Sequence, residues 1–213
     1  MRITKHGHAC VRLEHRGTVL VLDPGVFTDV HAVAGADVVL VTHEHPDHLH
    51  VDHLRACDAE VVTIGAVADR VLAEAPELAV RLRRVVPGDR LDLGLPVSVV
   101  GERHAVIHEE LPRVDNSGYL LDLDGTRVYH PGDALTPPGE PVDLLLAPAS
   151  APWLKVGEAI DFVRTVGAPR NLAIHDAVYS EAGHGIVDGH MERLNGPRGL
   201  GWTRLAAGED LDL

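Results

Sequence analysis

Near the start of the chain, residues 9–15 alternate apolar and polar with period two, Arg16-Gly17 supplies a turn, and residues 18–22 resume as an almost unbroken apolar run stopped by Asp23-Pro24-Gly25. That pattern predicts a β-hairpin. The next apolar run, residues 37–41, is short and β-branched, which predicts a buried strand. It delivers Thr42-His43-Glu44-His45-Pro46-Asp47-His48 onto a loop at its end. Beyond that loop the periodicity predicts a helix over 50–56, a strand over 60–64, a helix over 66–74 and a strand over 80–86.

The second half repeats the alternation. A buried strand over 96–100 leads to Gly101-Glu102-Arg103-His104, and residues 118–123 pair through Asp124-Gly125 with 127–130 as a second hairpin that ends in Pro131-Gly132-Asp133. A strongly apolar strand over 142–147, an amphipathic helix over 156–166 and a strand over 171–174 follow, the last running into His175-Asp176. Gly183-His184-Gly185 reads as a loop near His175, a position from which loops often gate pockets, although mobility is not legible in sequence. Gly88-Asp89-Arg90-Leu91-Asp92-Leu93 is echoed by Gly208-Glu209-Asp210-Leu211-Asp212-Leu213, a hint that two similar halves each finish with a like strand.

With 213 residues, 45% of them hydrophobic, the chain has room for one sizeable core, so a single domain over 1–213 is expected. A formal charge of -13 repels phosphate backbones and anionic bilayers, so neither nucleic acid nor membrane is expected as a partner. The N-terminus carries no apolar run of secretory type, which predicts a cytoplasmic protein. Two cysteines, Cys10 and Cys57, exclude a disulfide framework and a multi-cysteine zinc knuckle.

Histidine changes the picture, because 15 imidazoles stand against 2 Phe, 2 Trp and 3 Tyr. His15, His31, His50, His53 and His190 read as surface or capping residues, whereas His43, His45, Asp47 and His48 stand together directly after a buried strand. Neutral imidazole and carboxylate suit zinc, manganese and iron alike. The alternate spacing sends His43 and His45 to one side and lets Asp47 and His48 turn toward a neighbouring point, which suits two ions rather than one.

On this His-x-His-x-Asp-His motif the sequence resembles the metallo-β-lactamase superfamily, and the likeness runs over nearly the whole chain through His104, Asp133 and His175. The resemblance implies an α/β, four-layer αβ/βα sandwich with two mixed sheets flanked by helices. It implies one ion on His43, His45 and His104, a second on Asp47, His48 and His175, and Asp133 as the bridge. Zinc is the first expectation, with manganese or iron as alternatives. The words Gly7-His8-Ala9-Cys10, Leu22-Asp23-Pro24 and Tyr129-His130-Pro131-Gly132-Asp133 are similar to the branch that contains the L-ascorbate-6-phosphate lactonase. An aspartate at the bridge departs from the zinc β-lactamases, and 213 residues leave little room for the inserted domain of the superfamily's RNA-processing nucleases.

The activity so implied is hydrolysis of a small-molecule ester, lactone or phosphoester by a hydroxide generated between two ions, with Asp47 orienting the water or moving its proton. Non-catalytic or redox metal binding on the same fold is the alternative. By the same resemblance His8 and Asp23 face the ligand rim, where hydrogen bonds to the ligands are expected. His108, His130 and Asp176 lie beside ligand positions in sequence. Trp153 and Lys155 are candidates to wall a pocket and bind an anion, and Asn116 and Ser117 to touch substrate or serve the turn. A symmetric homo-oligomer is the default for such an enzyme.

Overall fold

The computed structural model describes residues 1–101 and 103–211. Its strands are β1 (Arg2–Lys5), β2 (Val11–His15), β3 (Thr18–Leu22), β4 (Val38–Val41), β5 (Glu60–Ile64), β6 (Leu82–Val85) and β7 (Arg90–Asp92) in the first half. The second half supplies β8 (Pro96–Val100), β9 (Gly118–Leu123), β10 (Thr126–His130), β11 (Leu144–Pro148), β12 (Arg170–Ile174), β13 (Gly201–Thr203) and β14 (Asp210–Leu211). Two mixed seven-stranded sheets result, in the orders β14-β1-β2-β3-β4-β5-β6 and β13-β12-β11-β10-β9-β8-β7.

Near-continuous apolar runs arise because the central strands are buried on both faces. In β4, Val38 and Leu40 join the layer between the sheets, while Val39 and Val41 face the helices α1 (Val51–Arg55) and α2 (Gly65–Glu74). In β11, Leu144 and Leu146 point inward, and Leu145 and Ala147 pack toward α3 (Val156–Val166) and α4 (Glu181–Asn195). The layers are therefore helix, sheet, sheet, helix, as the resemblance implies.

The repeated Gly-Asp/Glu word has a topological counterpart. From β1 to β6 the neighbour relations run antiparallel, antiparallel, then parallel three times, and β8 to β13 repeat that series. Each half then sends its last strand across to the other sheet: β7 pairs antiparallel with β8, and β14 with β1. Asp212 and Leu213, the end of the second word, lie outside the described residues, as does Glu102.

Three expectations are corrected. The strand over 80–86 shrinks to β6, because Pro76 opens a 3-10 turn over Pro76–Arg81 that leaves Val80 91% exposed. Residues 183–185 are not a loop but the first turns of α4, capped by the Ser180 hydroxyl accepting from Gly183 N. Its glycines mask the helix to propensity reasoning, yet Val187, Met191 and Asn195 recur every four residues on its buried face. His53 is buried rather than superficial, and its Nδ1 donates to the Pro24 carbonyl at 3.0 Å. No helix among the described residues is long and apolar enough to cross a membrane.

Candidate metal centre

Every sequence-predicted ligand sits just beyond a strand or on the loop that follows it: the His43–His48 loop after β4, His104 beyond β8, Asp133 beyond β10 and His175 directly after β12. Because these strands end on the same side of the sandwich, the loops converge. His43, His45, His104 and Asp133 form one group and His8, Asp47, His48 and His175 another, with the donor atoms inside each group all within 4.8 Å of one another. Asp133 joins the two groups. Its Oδ2 lies 3.2 Å from His104 Nε2 and 3.1 Å from His175 Nε2, and its Oδ1 lies 3.0 Å from His48 Nε2.

Two tight turns allow this convergence. Asp23-Pro24-Gly25 presses against the histidine loop so closely that a β-carbon on Gly25 would fall 1.9 Å from the Asp47 carbonyl oxygen. Gly132, with φ of 61°, passes so near Asn116 that a β-carbon there would lie 2.3 Å from its Oδ1. Glycine alone fits both places. His8, Asp23 and His175 have φ of 47°, 47° and 54°, left-handed backbone that side chains other than glycine seldom adopt and that concentrates at functional sites.

The imidazoles are held by the nitrogen that faces away from the centre. His48 Nδ1 donates to Asp23 Oδ2 at 2.7 Å, His104 Nδ1 to the Ala105 carbonyl at 2.6 Å and His175 Nδ1 to the Ser150 carbonyl at 2.5 Å. Thr42 Oγ1 donates to Asp23 Oδ2 at 2.7 Å and in turn accepts from His43 Nδ1 at 3.0 Å. Asp23, fully buried, thereby anchors His43 and His48 together. This leaves Nε2 of His48, Nε2 of His175 and Oδ1 of Asp133 buried without a hydrogen-bond partner. Buried polar atoms are rarely left unpaired. Donors that approach one another at 3.0 to 3.3 Å without hydrogen-bond alignment, all aimed into one space, fit a pair of cations between them.

His8 belongs to the second group by distance but not by chemistry. Its Nδ1 accepts from Ala177 N at 3.1 Å, so Nε2 carries the proton and donates to Asp47 Oδ2 at 3.1 Å. His8 aligns Asp47 rather than offering a lone pair. His130 is a structural residue: Nδ1 accepts from Gly132 N and Nε2 donates to the Ala9 carbonyl, which fixes the turn carrying Asp133. Asn116 does the same from the other side, donating to the Pro131 carbonyl and accepting from Asp133 N, and Ser117 N bonds the Thr42 carbonyl. Asn116 and Ser117 are both buried and serve the turn rather than a substrate.

Trp153 donates from Nε1 to Asp133 Oδ2 at 3.0 Å. Lys155 is turned to solvent and paired with Glu158 at 3.3 Å. Asp176 points away from the ligands to Lys5 and Arg204, and His108 is exposed, its Nδ1 accepting from Glu110 N. Thr42 and Ser150, which sequence reasoning did not single out as orienting groups, are recognisable only by their place next to a ligand or to a strand end.

Charge is shared across the cluster. Burial disfavours ionised His175, but Asp133 and Asp47 outweigh it and push its pKa up to about 9; Asp133 and Asp23 likewise raise His48 well above the ordinary value. Burial drives His43 well below its usual value, which keeps it neutral. Burial would raise Asp47, yet His175 beside it at 3.3 Å and the hydrogen bond from His8 hold it ionised far below the usual carboxylate range. In the metal-free protein His175 is therefore protonated at neutral pH, and His48 is shifted in the same direction. Metal must displace the protons they carry, so loading at pH 7 is expected to release at least about one per chain. Titration calorimetry in buffers of different ionisation enthalpy measures that number; no release would contradict the assignment. An unfolded histidine titrates near 6.5. The stabilisation these raised groups give the apoprotein is thus fully present below about pH 6.5 and is lost as pH climbs toward 9, while metal affinity rises over the same window.

A family model described as a beta-lactamase superfamily domain matches residues 2–175, which span all the ligand positions. The chain belongs to the metallo-β-lactamase superfamily. The chain is 39% identical over 198 residues to Protein Rv0786c of Mycobacterium tuberculosis, covering 91% of this chain and 92% of that one. It is 31% identical over 189 residues to the UPF0173 protein PF0020 of Pyrococcus furiosus, covering 85% and 86%. The superfamily fold is shared with Igni18, a metallo hydrolase of the archaeon Ignicoccus hospitalis, at a TM-score of 0.75 and 15% identity over 99% of this chain and 97% of that one.

Proposed function

We propose that the protein is a binuclear metal-dependent hydrolase of a small-molecule ester, lactone or phosphoester. The observation that carries this reading is the pair of donor groups joined by one buried carboxylate, with unpartnered donor atoms aimed into the space between them. His43, His45 and His104 would hold one ion, Asp47, His48 and His175 the other, with Asp133 shared. Held there, two divalent ions supply Lewis acidity and lower the pKa of a water toward neutrality.

The chain's own residues supply the rest. Asp47, ionised, half-buried and steadied by His8, is the carboxylate placed to accept a proton from the attacking water and return it to the leaving oxygen. Asp133 neutralises charge and sets the spacing of the two donor groups. The bonds from Asp23, Ser150 and Ala105 fix the imidazoles so that no reorganisation accompanies reaction. A lactone or carboxylic ester needs no cationic clamp beyond the centre.

The test is reconstitution. Chelator-treated protein, reloaded with zinc, manganese or iron(II), is expected to hydrolyse at least one class in a panel of esters, lactones and phosphoesters. Asp47→Asn should lower kcat by about a hundredfold or more while still binding metal. Protein that takes up metal yet turns over nothing would sink the reading in favour of a non-catalytic centre.

A further inference from the structure

Beside the centre lies a cavity of about 460 Å³, within the range of small-molecule sites. Val106, Ile107, Leu135, Pro152, Trp153 and Leu154 line it. It is continuous with the ligands in two ways. Trp153 forms one wall and donates to Asp133 Oδ2 at 3.0 Å. Ala105, Val106 and Ile107 are shared with a smaller cleft that reaches His45 and His104. Val106, Ile107 and Leu111 on the same loop are 57%, 42% and 53% exposed, apolar surface turned to water at the mouth of a polar centre.

The lysines and arginines near the centre are accounted for. Lys155 and Glu158 at the cavity's lip pair with each other at 3.3 Å. Arg113 donates to the His104 carbonyl, Arg103 pairs with Asp115 at 3.5 Å, and on the His8 side Lys5 and Arg204 both bond Asp176. Among the described residues lining these cavities, every basic side chain thus has a partner. The chain as a whole carries -13, a field that repels a dianion.

We propose that this cavity is a subsite for the apolar acyl chain of an uncharged carboxylic ester, a specificity that rests on the hydrolase reading and narrows it away from phosphoesters. In that reaction water adds its oxygen to the acyl carbon, the acyl C–O bond breaks, and one proton passes to the departing alkoxide while the acid is released. Ile107, Leu135, Trp153 and Leu154 take the chain, and Trp153 sets it against Asp133. Lys155 stays at the lip, its charge offset by Glu158 at 3.3 Å.

The experiment uses the zinc-loaded full chain with p-nitrophenyl acetate, butyrate and hexanoate and with p-nitrophenyl phosphate. A fully buried methylene is worth roughly fourfold in binding, so kcat/KM is expected to rise at least about tenfold from acetate to hexanoate. The hexanoate-to-acetate ratio should fall about tenfold in Ile107→Asp, and stay unchanged in Val80→Asp, a remote position 91% exposed. Esters cleaved without dependence on chain length, or phosphate preferred over hexanoate, would overturn the subsite and leave the hydrolase reading standing. A second readout separates the two ideas: hexan-1-ol should shift the tryptophan emission of the native protein, and the shift should vanish in Trp153→Phe and weaken in Ile107→Asp. That shift without turnover of any probe supports the subsite and fails the hydrolase reading; its absence overturns the subsite.

Discussion

Replacing Asp23 with alanine will lower thermal stability by roughly 10 °C or more and weaken metal binding by about 10- to 100-fold, although Asp23 touches no metal position. Its carboxylate accepts from Thr42 N, Thr42 Oγ1 and His48 Nδ1, each at 2.7 Å, in a place with no access to water. Deleting it leaves three buried donors unpaired at about 1–3 kcal/mol each, and relaxation should bring the total to about 3–5 kcal/mol. His48 also loses the group that keeps its Nδ1 a donor and its Nε2 facing the centre, and His43 loses the far end of its relay through Thr42. Asp23→Asn, which keeps one acceptor oxygen, should recover part of the stability. Thermal unfolding and a competitive chelator assay measure the two effects, and a stable variant with unchanged metal affinity would remove Asp23 from this role.

Asp133→Ala is expected to cost at least about a thousandfold in kcat/KM, equivalent to about 4 kcal/mol of transition-state stabilisation at 1.36 kcal/mol per tenfold. It lies within 3.2 Å of His48, His104 and His175 and is 2% exposed. Besides joining the two donor groups it supplies the charge that raises His48 and His175. Their pKa values should therefore fall in the variant, which NMR titration of the metal-free protein would show. That change distinguishes loss of the carboxylate from a general loosening of the fold.

The fold was legible because its strands are buried on both faces: runs such as Val38–Val41 and the Gly118–Leu123 hairpin carry a signal that side-chain burial alone dictates. α4 was not, since glycines at 183, 185 and 189 hide a helix whose stability comes from packing Val187 and Met191 against the second sheet. His43, His45, Asp47 and His48 could be named because a loop after a buried strand leaves little else for clustered histidines to do, whereas His104, Asp133 and His175 followed only from the superfamily resemblance. The groups behind them are less readable. His8 and His130 are both buried histidines near ligands, yet which nitrogen carries the proton depends on backbone donors at Ala177 and Gly132 that no spacing reveals. The pairing of Lys155 with Glu158 shows only in the structure. The role of Trp153 likewise depends on a loop geometry absent from local pattern.

The central claim is that two ions share Asp133, and counting them tests it most directly. Elemental analysis of untagged protein should find about two divalent ions per chain, falling to one or none in Asp133→Ala. One tightly held ion, unchanged by the substitution, would contradict the bridge and indicate a mononuclear or structural site.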